Sequence, residues 1–144
     1  MPPSTKRIPA IALAPLLFAG SALAHSPGEK ARVYFENLRD GQQVRAPFEV
    51  RFGIEGFGVV PASTRDASRH HGGHFHLLVD APKPPALDEP LPNDEHCIHF
   101  DDGERRTLLD LPPGRHRLQL ILGDEDHEPF DPPLMSPEIT IQVE

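Results

Sequence analysis

Three observations predict an all-β protein. Short runs of alternating apolar and polar residues recur along the chain, most clearly over Phe48–Ile54 and His116–Leu122. Clusters of Gly, Pro, Asn and Asp separate these runs. Nothing after residue 24 carries the i, i+3, i+4 apolar spacing of an amphipathic helix.

The elements follow in order. Residues 25–30 read as a short lead. Arg32-Val33-Tyr34-Phe35 is the first strand candidate, ended by the turn residues Asn37 to Gly41. In Phe48–Ile54, Phe48, Val50, Phe52 and Ile54 share one face and Glu49 and Arg51 the other, as in a half-buried antiparallel strand. A polar, glycine-rich stretch runs from Gly56 to Gly73. In the next strand Phe75, Leu77 and Val79 face inward, with His74, His76, Leu78 and Asp80 opposite. Residues 81–94 hold five prolines and read as a loop, because proline removes ladder donors. Cys97 to Phe100 is a short strand, with Cys97 and His99 on one face and Ile98 and Phe100 on the other. Asp101-Asp102-Gly103 is a turn, Arg106–Leu111 a strand, and Pro112-Pro113-Gly114 a tight turn. Arg115–Leu122 turns His116, Leu118, Leu120 and Leu122 to one side and Arg115, Arg117 and Gln119 to the other. Residues 125–137 are again proline-rich, and Ile139, Ile141 and Val143 close the pattern.

Seven such strands without a helix predict an immunoglobulin-like antiparallel β-sandwich of about seven strands, a single domain over residues 25–144. The Cys–Trp–Cys core of antibody domains is missing, since the chain has one Cys and no Trp. The turn Leu111 to Leu118 resembles the E-to-F turn of fibronectin-type and bacterial immunoglobulin-like modules.

Residues 1–24 are expected to leave before folding. Lys6 and Arg7 form a positive start, Ile8–Phe18 is apolar, and Ala22-Leu23-Ala24 fits a signal-peptidase site. Pro9 and Pro15 oppose a buried helix there, and the run is too short to span a membrane. The expected product is an exported, periplasmic protein with no membrane span. Cleavage would expose His25, whose amino group and imidazole together chelate copper. That resembles the histidine brace of copper-dependent polysaccharide oxygenases, but the aromatic platform of those enzymes is hard to build from one Tyr and no Trp, and an accident of the cleavage site is the expected reading.

The net charge of −8, which becomes −10 once Lys6 and Arg7 are removed, argues against nucleic acid and anionic membranes as partners. Cys97, the sole cysteine, excludes an internal disulfide and leaves a buried thiol, a mixed pairing or a metal ligand. There is no nucleophile elbow, phosphate-binding loop or dinucleotide fingerprint. The acidic runs Asp101-Asp102-Gly103-Glu104 and Asp124-Glu125-Asp126 lack EF-hand spacing and read as solvated turns.

The chemistry lies in the histidines. Six of the nine, with Cys97, fall between residues 70 and 99. His74 and His76 sit two apart on a strand and therefore on one face, about 6.6 Å apart along the chain. A neighbouring strand carrying His99 and Cys97 can complete a shell, and imidazole with thiolate suits zinc or copper. The candidate ligands are thus His74, His76, His99 and Cys97. His70 and His71 lie in a glycine-flanked loop and His96 at a strand boundary, with structural or outer roles. His116 shares a face with three leucines and reads as a core-edge histidine with a hydrogen bond. His127 sits in a loop, where it either caps the site or faces water, and the second is expected. Asp80 either orients an imidazole or simply turns the chain ahead of Pro82.

A set of blocks runs in order along the chain: Val33-Tyr34-Phe35, Phe48 to Val60 with its Gly-Phe-Gly, Gly73 to Asp80, Leu91-Pro92-Asn93-Asp94-Glu95, and His99-Phe100. It continues through Leu111 to His116, Gly123-Asp124, His127 and Asp131-Pro132-Pro133. Together these blocks resemble a bacterial exported family known as domain of unknown function 4399. The family pattern tends to carry histidine where Phe75, Cys97 and Phe130 stand here. At position 97 the exchange is between two ligand types. The resemblance implies a fold and an exported location, and no reaction. Three functions are therefore compatible with the sequence. The first is zinc or copper binding for buffering or delivery. The second is a non-catalytic module whose proline-rich loops meet an envelope protein. The third is a metal-dependent enzyme.

Overall fold

The computed structural model describes residues 30–64 and 72–144. The export segment 1–24, His25, the lead up to residue 29, and His70 and His71 lie outside the described residues. Among the described residues there are nine strands and no helix. They are β1 (Arg32–Phe35), β2 (Gln43–Val44), β3 (Phe48–Glu55), β4 (Gly58–Val59), β5 (Gly72–Val79), β6 (Cys97–His99), β7 (Arg106–Leu109), β8 (Gly114–Gly123) and β9 (Ile139–Val143). The expected all-β class holds. The count exceeds the expected seven because β2 and β4 are two-residue strands too short for alternation to mark. Both pair in parallel, β2 with β9 and β4 with β5.

The strands form two sheets. One is antiparallel, in the order β1-β3-β7; the other runs β2-β9-β8-β5-β4, with β6 also paired to β5. In β3 the predicted alternation is realised, with Phe48, Val50 and Phe52 buried and Glu49 and Arg51 exposed. Gly53 faces Tyr34 across β1, and a Cβ there would overlap the tyrosine ring. Both sheets supply the main core. Val33, Val50, Phe52 and Leu109 from the first meet Phe75, Leu77, Leu118, Leu120, Leu122 and Ile141 from the second. Phe52 is the pivot, with its ring 5.2 Å from Phe75 and 4.7 Å edge-on to Phe100.

The second sheet differs from a half-buried strand layer at β5, where all eight residues are buried. Phe75, Leu77 and Val79 enter the main core. On the opposite face a smaller cluster forms from Leu78, Leu91, Cys97 and Ile121, with Ala81 and Met135 packed against it. Two proline-rich segments supply this cover. The 81–94 loop contributes Ala81 and Leu91, and the 125–137 segment runs back along β8. There Leu122 N donates to Leu134 O and Ser136 N to Leu120 O, while Leu120 N donates to Ser136 Oγ. Because prolines cannot join a ladder, these segments cover the sheet face and its edge without becoming further full strands.

Truncating Phe52 to Ala should cost about 3–5 kcal/mol through lost burial and the residual cavity. Truncating Leu108, which is 65% exposed, should change stability by less than about 0.5 kcal/mol. Urea unfolding of the two variants measures both effects, and equal losses would contradict the assignment of the core.

Candidate metal centre

The site stands where β5, β6 and β8 meet two turns. Antiparallel register sets His76 opposite His99 on β6 and opposite Ile121 on β8, and His74 opposite Gly123. The paired positions share a face, so His74, His76 and His99 project from the same side of the sheet. His74 is 1% and His76 0% exposed.

The turn after β8 brings a fourth imidazole. Asp124 Oδ1 accepts the amides of Asp126 and Glu128, at 2.9 and 3.0 Å, while His127 N donates to Asp124 O. This Asx-type turn leaves His127 at φ 65°, a left-handed conformation in which histidine is enriched among non-glycine residues. The four rings then crowd together. Centroids lie 4.5 Å apart for His74–His76, 4.4 Å for His76–His99, 4.9 Å for His74–His127 and 4.7 Å for His99–His127. Gly123 makes this possible, because a Cβ there would stand 2.7 Å from Cε1 of His76.

Asp101, two residues beyond His99, completes the set. Its Oδ1 lies 3.2 Å from His127 Nε2, 3.5 Å from His74 Nε2 and 3.8 Å from His99 Nδ1. Ligand atoms held about 2.0–2.1 Å from a tetrahedral ion are about 3.3–3.4 Å apart, so these separations are close to those of a coordination shell. His127 donates to Asp101. His99 Nε2 donates to the Pro92 carbonyl at 2.7 Å, which turns Nδ1 towards Asp101. This is the usual way in which an outer carbonyl fixes a ligand's tautomer. The residues fall into two groups whose ligand atoms lie within 4.8 Å of one another: His74, His76 and His127, and His99, Asp101 and His127.

Three buried nitrogens have no hydrogen-bond partner among the described residues: His74 Nε2, His76 Nδ1 and His76 Nε2. The Asp101 carboxylate stands beside His74 Nε2 without forming a hydrogen bond. Unsatisfied buried groups cost about 1–3 kcal/mol each, so several kcal/mol are invested here with no return from the protein itself. Burial also sets the protonation state. It is the first cause that lowers the His74 pKa from 6.5 to about 4; His127 adds to the shift and Asp101 opposes it. His76 falls to about 2, by burial first and then by His74, His99 and His127. The Ile121 main chain pulls weakly the other way without completing a hydrogen bond. Both rings are therefore neutral at pH 7 and can offer lone pairs to a cation.

Of the ligands expected from sequence, the structure brings His74, His76 and His99 together. Cys97 shares their face but pairs with Leu78, in the apolar cluster, and belongs to neither ligand group. Burial first, and then the Asp94 charge, push its thiol up to about 12, so the thiolate needed for coordination is disfavoured. His127, expected to face water, instead completes the cluster. Asp101, read as a solvated turn residue, stands among three imidazoles. Asp80 does orient an imidazole, but that of His116, at 2.7 Å. His96 Nδ1 bonds the Val79 carbonyl at 2.9 Å, in a structural role.

The geometry defines an all-β protein with a buried imidazole cluster and one exposed carboxylate at its edge. Residues 50–144 match the family described as domain of unknown function (DUF4399), and the chain belongs to that family. All four histidines and Asp101 lie inside the matched segment. No curated protein matches the chain. Among solved structures, the endo-β-1,4-mannanase from Thermotoga petrophila is similar at 18% identity and a TM-score of 0.43, over 80% of this chain. This chain spans 20% of that one, and nothing about the site or its activity follows from the likeness.

The lowered pKa values make acid destabilising for the metal-free protein. Below pH 6.5 the unfolded chain takes up protons that native His74 and His76 refuse. The part of the stability that depends on these two rings should therefore be intact above about 6.5 and fall towards pH 4 by up to ~1.4 kcal/mol per pH unit for each histidine. The Asp80–His116 pair acts outside that window. Burial opposes both shifts, but hydrogen bonds from the Arg117 amide and His116 lower Asp80, and Asp80 and the Pro112 carbonyl raise His116. The Asp80 contribution is lost only as pH falls below 3.8, and that of His116 only as pH rises above 6.5. Urea midpoints at pH 6.5, 5.5 and 4.5, between the two titrations of Asp80 and His116, measure the slope, and a flat profile would contradict it. Gly123→Ala should displace the His76 ring and lower stability by about 1–3 kcal/mol through overpacking, as urea unfolding at pH 7 can show.

Proposed function

We infer that this chain is an exported metal-binding protein, an immunoglobulin-like sandwich that holds one zinc or copper ion for buffering or delivery in the periplasm. The observation that carries this reading is the pair His74 and His76, fully buried, neutral and without hydrogen bonds on three ring nitrogens, converging with His127. A protein has little reason to bury unsatisfied imidazoles unless another partner uses their lone pairs. Nitrogen-rich, borderline-soft donors favour zinc and copper over magnesium or calcium, which prefer all-oxygen shells. His74, His76 and His127 would form the nitrogen base, with His99 and Asp101 at its outer side. Cys97 lies apart, so the reading assigns the ion to histidines. The export step rests on the Lys6-Arg7, apolar and Ala22-Leu23-Ala24 pattern.

Untagged mature protein, stripped of metal, should take up one zinc or copper ion per chain. His74→Ala combined with His76→Ala should weaken binding at least 100-fold, about 2.7 kcal/mol. Cys97→Ser should leave affinity within 3-fold. Circular dichroism checks that the variants keep their strands, and mass spectrometry of the secreted product should place His25 at the N-terminus. Wild-type protein that ignores both ions would end the proposal.

A further inference from the structure

The ligand cluster has an inside and an outside. His74 and His76 are sealed, whereas Asp101 is 53% exposed on the turn that follows β6. His127 belongs to both ligand groups. Asp101 Oδ1 is 3.2 Å from His127 and 3.5 Å from His74, so the carboxylate spans the step from the outer group to the inner one.

The surroundings suit a cation arriving with its water shell. Asp102 and Glu104 share the turn of Asp101, and Asp126 and Glu128 share that of His127; all four are exposed. Such an arrangement concentrates cations at the mouth and repels anionic chelates. The acidic residues alone would mean little. They matter because unpartnered, buried nitrogens of His74 and His76 lie behind them.

Building on the metal-binding reading, we propose that Asp101, His99 and His127 form a landing site for a free hydrated divalent cation, which then moves inward onto His74 and His76. At the landing site the carboxylate oxygen, the His99 Nδ1 lone pair and His127 replace water ligands. His127 gives up its hydrogen bond to Asp101, its ring proton residing on the nitrogen turned away from the ion. Water leaves again as His74 and His76 bind, and His127 stays attached throughout. Asp101 is the exchangeable ligand and lets go as the ion settles, so its role is in the rate of passage in both directions. The Pro92 carbonyl holds His99 ready for the first step, and the Leu91 amide, donating to His127 O at 2.9 Å, braces the shared ligand.

Stopped-flow zinc loading and chelator-driven release separate this from a simple ligand role. Asp101→Asn should slow both association and dissociation at least 10-fold, with less than a 3-fold change in Kd. His76→Ala should instead raise Kd through faster release. Wild-type association should fall at least 5-fold between 20 and 500 mM NaCl. Asp110→Asn, at an exposed carboxylate directly after β7, should behave as wild type. An Asp101→Asn variant with unchanged association, or with affinity lost as severely as in His76→Ala, would overturn the landing site while leaving metal binding intact. Failure of the wild type to bind zinc or copper would instead defeat the underlying reading.

Discussion

The burial of β5 on both faces is the constraint from which the rest follows. A strand with one wet face would let water solvate His74 and His76, and their rings would be ordinary surface imidazoles. Here the main core covers one side, and Leu91, Met135 and their neighbours seal the other. Burial lowers both histidine pKa values, and three of their nitrogens are left without partners. Desolvation thus makes the site costly to the metal-free protein and receptive to a cation.

Each part of the surrounding chain serves that placement. Register aligns His76 with His99; Gly123 leaves room for the His76 ring; Asp124 shapes the turn that delivers His127. The two proline-rich segments do more than close gaps. Leu91 is a core residue that also bonds the His127 carbonyl, and its neighbour Pro92 fixes the His99 tautomer. Packing of the small cluster and orientation of the imidazoles are therefore mechanically linked, so a substitution under the 81–94 loop is felt at the histidine cluster.

Much of the fold was legible because alternation is a direct imprint of a strand with one buried face. β1 and β9 agree with their expected bounds, and β3 and β8 to within a residue at each end. The pairs β2 and β4 left no imprint, since two residues carry no period. His74, His76 and His99 were readable from parity along their strands. Parity could not separate Cys97 from His99, because only register decides that the thiol meets Leu78 and the imidazole meets His76. His127 escaped because a turn, not a strand, presents it. The signal was Asp124 three residues ahead, with the side-chain chemistry to cap such a turn. Asp101 did carry a signal: it continues the Cys97–His99 parity by one more step.

X-ray absorption at the zinc edge of the loaded, untagged protein tests the histidine centre most directly. The proposed centre requires nitrogen and oxygen scatterers at about 2.0–2.1 Å with the outer-shell pattern of at least three imidazoles. A sulfur scatterer near about 2.3 Å, or a shell of water oxygens without imidazole, would contradict it.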